Sequence, residues 1–462
     1  MSIEAVIDFA QNEIEKYGVR GDASKYYVFR NNTKPQAFED GSAFFGFIHP
    51  DEEQTGAYHD FCIVLFPGNS EGGNKWVLSL GVGSLGFLND YELSTRPGLR
   101  RLYQSIISSE GVCKTDFSDL EQSLPRDFVD KLPHLKTTLK RYTKVLPVCE
   151  VLDDIESDES KEKISAFLAI YAKARGWLSN NSHRENYRDA LKNFQQTELI
   201  NHEEEAGNLI LKRKFITLTG APGVGKTRLA KIIGEKINAH TFFTQFHAET
   251  DYSDFIYGII PNLSANGLGY EQKNGVFQES LRFAVNNTQQ NVLLIVDEIN
   301  RANLANILGP IFYLFEYRMG ENEANEDIEI SPDFSISKIP SNFYMIGTMN
   351  TADRSLAVVD FALRRRFAWY ELKPSPIDNE NFYLEDFQTI ANIFQWYANS
   401  DELNLQPGQG YFLADSEEEY LTRVEYELLP LVREYLQEQL LLSAREELNN
   451  YFLGRISKPI FE

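Results

Sequence analysis

The sequence predicts an α/β protein in which a parallel sheet is covered by helices, preceded by a mixed α+β domain. Two observations on the patterning of the chain lead to this prediction. From Phe215 to about Leu372, short apolar strands alternate with amphipathic helices, which is typical of a parallel sheet with helices on both faces. Before residue 150 the chain is instead rich in aromatic and β-branched residues, which favour strands.

The length of 462 residues and the hydrophobic content of 42% are enough for several domains with cores of their own. We expect a mixed α+β target-recognition domain over 1–150, a helical linker over 151–205 and an α/β core over 206–374. A helical lid subdomain over 375–462 completes the prediction. An acidic, turn-rich stretch, DDIESDESKEK, marks the first boundary.

Charge and cysteine content narrow the functional classes. The formal net charge of −23 argues against a protein that binds nucleic acid over its whole surface, but it allows a local basic patch. The three cysteines show no CxxC spacing, which indicates neither a disulfide framework nor a zinc site and fits a reducing compartment. The N-terminus carries acidic residues where a signal peptide needs basic ones, and apolar runs such as FCIVLF are too short to span a bilayer. We therefore expect a cytoplasmic protein without a membrane segment.

In the first 150 residues, four runs read as strands separated by Gly, Pro and Asn turns. They are YYVF, AFFGFI, FCIVLF and WVLSLGV.

The strongest motif is GAPGVGKT, which has the spacing GxxxxGK[ST] and lies between an apolar strand and an amphipathic helix. Its glycines let backbone N–H groups close around a phosphate, while the helix N-terminus adds a positive partial charge. Lys226 would reach the β- and γ-phosphates, and the Thr227 hydroxyl would bind Mg²⁺. The predicted nucleotide-binding residues are Gly220, Ala221, Pro222, Gly223, Val224, Gly225, Lys226 and Thr227.

Polar residues follow two further apolar strands. In NVLLIVDEINRANL, Asp297 ends a buried strand and would hold Mg²⁺, and Glu298 would activate the water that attacks the γ-phosphate. In NFYMIGTMN, Asn350 ends the strand, where its amide could hold the attacking water or contact the γ-phosphate. A strand-end cap is the alternative role of Asn350.

Three consecutive arginines, Arg364, Arg365 and Arg366, follow the stretch LAVVDFAL. The phosphate site of the same domain already has Lys226, Mg²⁺ and a helix N-terminus. An arginine beyond that site is better placed to reach the nucleotide of a neighbouring subunit and stabilise charge on its γ-phosphoryl group. We expect at least one of the three to form instead an ion pair with Asp360 or with an acidic surface loop. The arginines therefore predict a ring-forming nucleoside triphosphatase.

Together, GAPGVGKT, VDEINRANL, MIGTMNTADRS and DFALRRRF resemble the AAA+ module of the McrB family, the GTPase motor subunits of modification-dependent restriction systems. The resemblance runs from about Phe215 to Leu372 and continues more weakly through GYF and YELLPLV, which are similar to the helical lid. Within it, MNTADRS resembles the signature of the family. The signature residues are Asn350, Thr351, Asp353 and Arg354.

The resemblance implies a homo-hexameric ring, GTP as the substrate and Mg²⁺ as its metal ion. It also implies arginine fingers at Arg364 and Arg365, and a partner endonuclease of the McrC type that cuts DNA and stimulates hydrolysis. Because the sequence has no NKxD guanine-recognition motif, the preference for GTP depends on the resemblance alone and ATP remains open. It also has no PD…(D/E)xK array, so cleavage has to come from a separate chain.

In the resembled family the N-terminal domain usually reads the target, often methylated DNA with a base flipped out. Two basic clusters here, RPGLRR and KLPHLKTTLKRYTK, could contact phosphates, since three of the lysines recur every four residues. A solvated helix is the alternative. Tyr26, Tyr27 and Trp76 could stack a flipped base, with a role in the core as the alternative. The candidate DNA contacts are Arg100, Arg101, Lys136, Lys140 and Lys144.

Two other functions stay open. One is an ATPase resembling the MoxR type, which remodels protein complexes without DNA and would not require MNTADRS. The other is a sensor of a phage protein or RNA, in which the ring serves as a scaffold and no DNA is cut.

Overall fold

The computed structural model describes residues 3–68, 75–194, 201–264, 267–315, 327–352 and 364–461. The chain divides into two compact units, Met1–Glu198 and Leu199–Glu462. Across these described ranges, none of the helices combines the length and the apolar character needed to cross a bilayer.

The first unit is built on an antiparallel sheet. Its strands are β1 (Val28–Asn32), β2 (Phe44–Ile48), β3 (Phe61–Phe66), β4 (Trp76–Val82), β5 (Val112–Cys113) and β6 (Val148–Leu152). Within the described residues they lie in the order β1-β2-β3-β4-β6-β5, and each neighbouring pair is antiparallel. The sequences FCIVLF and WVLSLGV are buried at every residue of β3 and β4. The aromatic and β-branched runs therefore form strands, as the sequence predicts.

Helices complete this unit. They are α1 (Ile3–Glu15), α2 (Pro35–Glu39), α3 (Tyr91–Ser94), α4 (Pro97–Ile106), α5 (Arg126–Asp130), α6 (Lys136–Arg141), α7 (Asp158–Ala174) and α8 (Asn181–Leu191). The Ser157 side chain caps α7 by accepting a hydrogen bond from the Ser160 N–H group. Helix α7 is buried along most of its length and packs against α1, α4, α8 and β3. We expected a linker over 151–205, but α7 and α8 are part of the first unit, because their apolar residues complete its core.

The second unit contains a parallel sheet. Its strands are β7 (Phe215–Gly220), β8 (Ala239–Gln245), β9 (Tyr257–Ser264), β10 (Gly267–Asn274), β11 (Asn291–Asp297), β12 (Ile328–Ser331), β13 (Phe334–Ile336), β14 (Phe343–Asn350) and β15 (Ala368–Leu372). In the described residues the sheet order is β15-β7-β14-β11-β8, and all of these neighbours are parallel. The pairs β9–β10 and β12–β13 are separate antiparallel hairpins. The α/β class predicted from the sequence is confirmed.

Helices cover both faces of this sheet. They are α9 (His202–Arg213), α10 (Lys226–Lys236), α11 (Tyr252–Phe255), α12 (Val276–Asn286) and α13 (Leu304–Leu308). Alternate residues of β11 belong to two different apolar clusters, since Leu294 packs with Phe277 and Leu281 of α12 and Ile295 packs in the cluster that holds Ile233 of α10. Successive side chains of a strand point to opposite faces, so the two clusters are the two sides of the sheet.

The C-terminal helices form a third apolar cluster in the second unit, with buried residues from Phe387 to Ile460. These helices are α14 (Leu384–Tyr397), α15 (Glu417–Arg423), α16 (Leu429–Gln437) and α17 (Arg445–Ile456). The division of the second unit into a core over 206–374 and a lid over 375–462 remains our proposal. In the following sections, "lid" means residues 375–461.

Candidate nucleotide-binding site

The phosphate-binding motif forms the loop between β7 and α10. Gly223 and Gly225 have φ angles of +80° and +86°, a left-handed backbone that glycine adopts far more easily than other residues. Gly225 immediately precedes the 11-residue helix α10, so the free N–H groups of that helix lie at the end of the loop. The predicted loop is therefore placed between a strand end and a helix start, as anion binding requires.

Lys226 folds back over this loop. Its Nζ atom donates hydrogen bonds of 2.9 Å to the carbonyl oxygens of Gly220 and Ala221. Burial lowers the pKa of Lys226, and the nearby carboxylates of Glu298 and Asp297 act in the opposite direction. The ammonium group is thus held inside the loop by backbone oxygens.

Asp297 joins three parts of the site. Its Oδ1 atom accepts hydrogen bonds from the hydroxyl groups of Thr227, at 2.6 Å, and Thr348, at 2.7 Å. A hydroxyl and a carboxylate at this spacing suit Mg²⁺, which prefers oxygen ligands and usually keeps one or two protein ligands beside water and phosphate. In the part of the chain that the structure describes, no three or more His, Cys, Asp or Glu side chains are grouped so that they could hold a metal ion. Sequence reasoning missed Thr348, although it lies two residues before Asn350 and therefore on the same face of β14.

Glu298 has an unusual backbone. Its φ and ψ angles of 53° and 46° are left-handed, which is uncommon for a residue with a side chain. Its N–H group donates to the Thr348 hydroxyl at 3.1 Å, and its carboxylate lies 3.5 Å from the Nε atom of Arg301. The sequence predicted a catalytic role for Glu298. It did not indicate that Thr348 accepts a hydrogen bond from the Glu298 N–H group or that Arg301 lies beside its carboxylate.

The end of β14 lies directly beside the phosphate loop. Asn350 pairs with Gly220 in the parallel register of β14 and β7, and the Thr351 N–H group donates to the Gly220 carbonyl at 3.1 Å. The Asn350 Oδ1 atom accepts from the Ala352 N–H group at 3.2 Å, so its amide is also a local cap. Two other signature residues, Asp353 and Arg354, lie outside the described residues.

The three arginines differ in their surroundings. Arg364 and Arg365 are exposed, whereas Arg366 is half-buried with its guanidinium group 5.2 Å from the centre of the Phe312 ring. The Arg364 guanidinium lies 5.5 Å from the centre of the Trp369 ring, and the Trp369 Nε1 atom donates to the Arg364 carbonyl at 3.1 Å. Of the three, Arg366 is the least exposed. The stretch LAVVDFAL that precedes them lies outside the described residues.

The lid also reaches the phosphate loop, through the segment from Gly408 to Tyr411. The N–H groups of Gly408 and Gly410 donate to the carbonyl oxygens of Pro222 and Gly223. The sequence indicated that GYF belongs to the lid, but it gave no sign of contact with the loop.

The candidate DNA contacts in the first unit do not form one basic face. Helix α6 ends at Arg141, so Lys144 lies outside the helix that was expected to present it together with Lys136 and Lys140. Lys136 pairs with Asp130 at 2.7 Å, and Lys144 pairs with Glu121. The expected row of three lysines is therefore corrected, because the helix is one turn too short and acidic neighbours neutralise two members.

The other candidates of the first unit are also engaged within the fold. Arg100 donates to the Gln104 side chain at 3.0 Å, and burial, followed by repulsion from Arg100, lowers the pKa of Arg101. Trp76 and Tyr27 are buried in the core, and Tyr26 packs edge-on against Trp177. Trp76 and Tyr27 thus have the core role that we considered as the alternative to base stacking, whereas Tyr26 is half-buried.

The fold and the site define a P-loop nucleoside triphosphatase of the AAA+ class, because a parallel sheet places the phosphate loop, the acidic pair and the polar end of β14 at one edge. Residues 216–367 match the family model of the AAA domain, dynein-related subfamily.

Two curated relatives show which AAA+ proteins this domain is similar to. The Type IV methyl-directed restriction enzyme EcoKMcrB subunit of Escherichia coli (strain K12) is 42% identical over 175 residues, which cover 36% of this chain and 37% of that protein. The Type II restriction enzyme BsuMI component YdiS of Bacillus subtilis (strain 168) is 31% identical over 192 residues, which cover 33% of this chain and 55% of that protein. The chain thus spans between about a third and a half of the length of these relatives. Over this domain, the chain is therefore an AAA+ protein similar to the restriction subunits of the McrB family.

Proposed function

We propose that the chain is a ring-forming nucleoside triphosphatase that works as the DNA-recognition and motor subunit of a McrBC-like restriction complex for defence against phage. GTP is the expected substrate, with ATP as the alternative, and six copies form the ring. A separate endonuclease of the McrC type supplies DNA cleavage. The observation that carries the enzymatic part is the meeting of Lys226, Thr227 and Asp297 beside the phosphate loop. Similarity to restriction subunits supports the biological part.

The binding step follows from the groups of the loop. Thr227 and Asp297 would hold Mg²⁺, which would supply positive charge to neutralise the phosphates. Lys226 would exchange the carbonyls of Gly220 and Ala221 for phosphate oxygens, since an ammonium group pairs more strongly with an anion than with a neutral carbonyl.

The hydrolytic step needs a base, a group that positions water and added positive charge. Glu298 would accept the proton of the attacking water, and the Asn350 amide would hold that water. Arg364 and Arg365 are exposed and would extend to the nucleotide of the neighbouring subunit, where they stabilise charge on the γ-phosphoryl group. Because one subunit supplies the base and its neighbour supplies the arginines, hydrolysis depends on ring assembly.

The test is phosphate release from GTP and from ATP, measured in parallel with Mg²⁺ on the wild-type chain and on Lys226→Ala. Turnover that is selective for GTP and lost in the variant would support the proposal. Turnover that is equal in both chains would contradict the assignment of the loop, and selectivity for ATP would contradict GTP as the substrate.

A second candidate is a sensor of a phage component whose ring does not direct DNA cleavage. It is favoured by the ion pairs of Lys136 and Lys144, because paired lysines offer less charge to a DNA backbone. Binding of methylated and unmethylated duplexes to the full chain separates the two candidates. Binding whose affinity falls steeply with salt favours DNA recognition, and its absence favours the sensor.

A further inference from the structure

The lid segment from Gly408 to Gly410 is hydrogen-bonded to three consecutive carbonyl oxygens of the phosphate loop. The N–H group of Gly408 donates to Pro222 and that of Gly410 donates to Gly223, both at 2.9 Å. Between them, the Nε2 atom of Gln409 donates to the Val224 carbonyl, also at 2.9 Å. Three neighbouring lid residues therefore hold three neighbouring residues of the loop.

This contact fixes the direction of the N–H groups of the loop. A trans peptide unit is planar, and its C=O and N–H bonds point in opposite directions. Because the carbonyls of residues 222–224 point toward the lid, the N–H groups of Gly223, Val224 and Gly225 point to the other side of the loop. Successive N–H groups that face one side form a concavity that binds anions.

The same contact also strengthens these N–H groups as donors. A hydrogen bond to the carbonyl end of a peptide unit polarises the unit, so hydrogen bonds in a chain reinforce one another. Each lid donor thus acts on one phosphate-facing N–H group through a single peptide unit.

Close packing leaves little room for other arrangements. A Cβ atom on Gly408 would lie 2.2 Å from backbone atoms of Gly223 and Val224, so the backbones meet directly. A Cβ atom on Gly223 would lie 2.8 Å from two ring carbons of Tyr411. The Oε1 atom of Gln409 accepts from the Ser375 N–H group at 3.5 Å, which also connects the side chain to the segment that follows β15.

We propose that Gln409, together with the Gly408 and Gly410 backbones, is a positioning residue for phosphate binding. The segment keeps the three N–H groups of the loop turned toward the phosphates. The inference rests on the proposed function only in that the loop binds a nucleoside triphosphate.

The test is calorimetric binding of Mg·GTP and Mg·ATP to the full chain and to Gln409→Ala. Loss of one net hydrogen bond corresponds to about threefold to tenfold weaker binding. Because the loop holds the phosphates equally in the ground state and the transition state, KM should rise by the same factor while kcat changes little. Gln406→Ala is the matched control, because Gln406 lies on the same segment and its side chain makes no hydrogen bond to the loop in the described structure.

A second pair of variants tests the chemistry of the contact. Gln409→Glu keeps the size of the side chain but places a carboxylate, which cannot donate, against the Val224 carbonyl. Its binding should be weaker than that of Gln409→Ala, whereas Gln406→Glu should bind as the wild type does. The unfolding temperature without nucleotide is measured for all four variants, and binding is compared at a temperature at which each of them remains folded, which separates positioning from general stability.

Three outcomes decide the matter. Weaker binding confined to the Gln409 variants supports the inference. Nucleotide affinities that are the same for the Gln409 and Gln406 variants, while Lys226→Ala no longer binds, overturn the inference and leave the proposed function intact. If Lys226→Ala binds both nucleotides as the wild type does, the loop is not the phosphate site and both proposals fail.

Discussion

The Thr348 hydroxyl donates a hydrogen bond of 2.7 Å to the Asp297 Oδ1 atom, which ties the ends of two neighbouring parallel strands together. The same hydroxyl accepts from the Glu298 N–H group at 3.1 Å. One threonine thus orients the proposed metal ligand through its proton and the proposed base through its oxygen. The precision of the site depends on a residue that touches neither water nor nucleotide in the proposed mechanism.

Thr348→Val should lower kcat on the order of tenfold to a hundredfold, because a small displacement of the acidic pair disturbs the reacting geometry. The free energy of unfolding should fall by about 1–3 kcal/mol, since the substitution leaves the Glu298 N–H group without its partner. Phosphate release and chemical denaturation measure the two effects.

Thr217→Val is the control for that variant. Thr217 is buried in β7, and its hydroxyl has no hydrogen-bond partner among the described residues. The substitution should leave both kcat and stability near the wild-type values. Equal losses in the two variants would show that Thr348 matters only as a buried side chain.

Glu298→Gln should bind nucleotide with nearly normal affinity and lose turnover by about 10²–10⁴-fold, because an amide cannot accept the proton of the attacking water. Filter binding and phosphate release on the same preparation check both parts. Glu279→Gln removes an exposed carboxylate from α12 and should turn over normally. Persistent hydrolysis in Glu298→Gln would remove this residue from its role.

The left-handed backbone of Glu298 should make Glu298→Gly more stable than Glu298→Ala. Both variants lack the carboxylate, so their difference reports the backbone alone. We expect about 0.5–1 kcal/mol, because glycine avoids the clash of Cβ in this conformation but is more flexible when unfolded. An alanine variant that is as stable as the glycine variant would show that residue 298 is not held left-handed in solution.

Arg364 and Arg365 should act in trans if they serve a neighbouring subunit. Arg364→Ala/Arg365→Ala chains and Lys226→Ala chains should each be inactive alone. Mixing them should restore part of the activity, since an intact phosphate site can then meet intact arginines. The measurement is phosphate release as a function of the mixing ratio.

Arg366→Ala is the variant to compare with the Arg364→Ala/Arg365→Ala chains. Its guanidinium packs over Phe312, so the substitution should lower the unfolding temperature rather than produce an inactive chain that mixing can rescue. An absence of recovery at every ratio of the other two variants would point to action within one subunit or to a structural role.

The parts of the site that follow a recognisable local pattern could be predicted, and the parts that depend only on contacts between distant segments could not. The phosphate loop, Asp297 and Asn350 each follow an apolar strand, so local pattern and the rules of parallel sheets place them at one edge. Thr348 and Gln409 carry no such local sign. Their roles arise from strand register and from a contact between Gln409 and Val224, residues far apart in the chain.

In the first unit, the helical spacing of lysines in the sequence did not predict where the helix ends. The spacing of Lys136, Lys140 and Lys144 is helical, yet α6 ends at Arg141. Tertiary contacts determine where this helix stops, because the Leu124 N–H group donates to the carbonyl and hydroxyl oxygens of Thr143 just beyond it. Likewise, the helical pattern after residue 151 was correct, but only packing could tell that α7 is a buried core helix rather than a linker.

The contact between the lid and the phosphate loop has a consequence for how this protein tolerates sequence change. All three acceptors on the loop are main-chain oxygens, so these hydrogen bonds depend on the path of the loop rather than on its side chains. Replacing Pro222 or Val224 by other residues that keep this path would leave the attachment whole. A change at Gly223 that bends the path would be transmitted across the interface. We therefore expect the hydrogen bonds between lid and loop to survive substitutions that keep the shape of the loop and to break with those that change it.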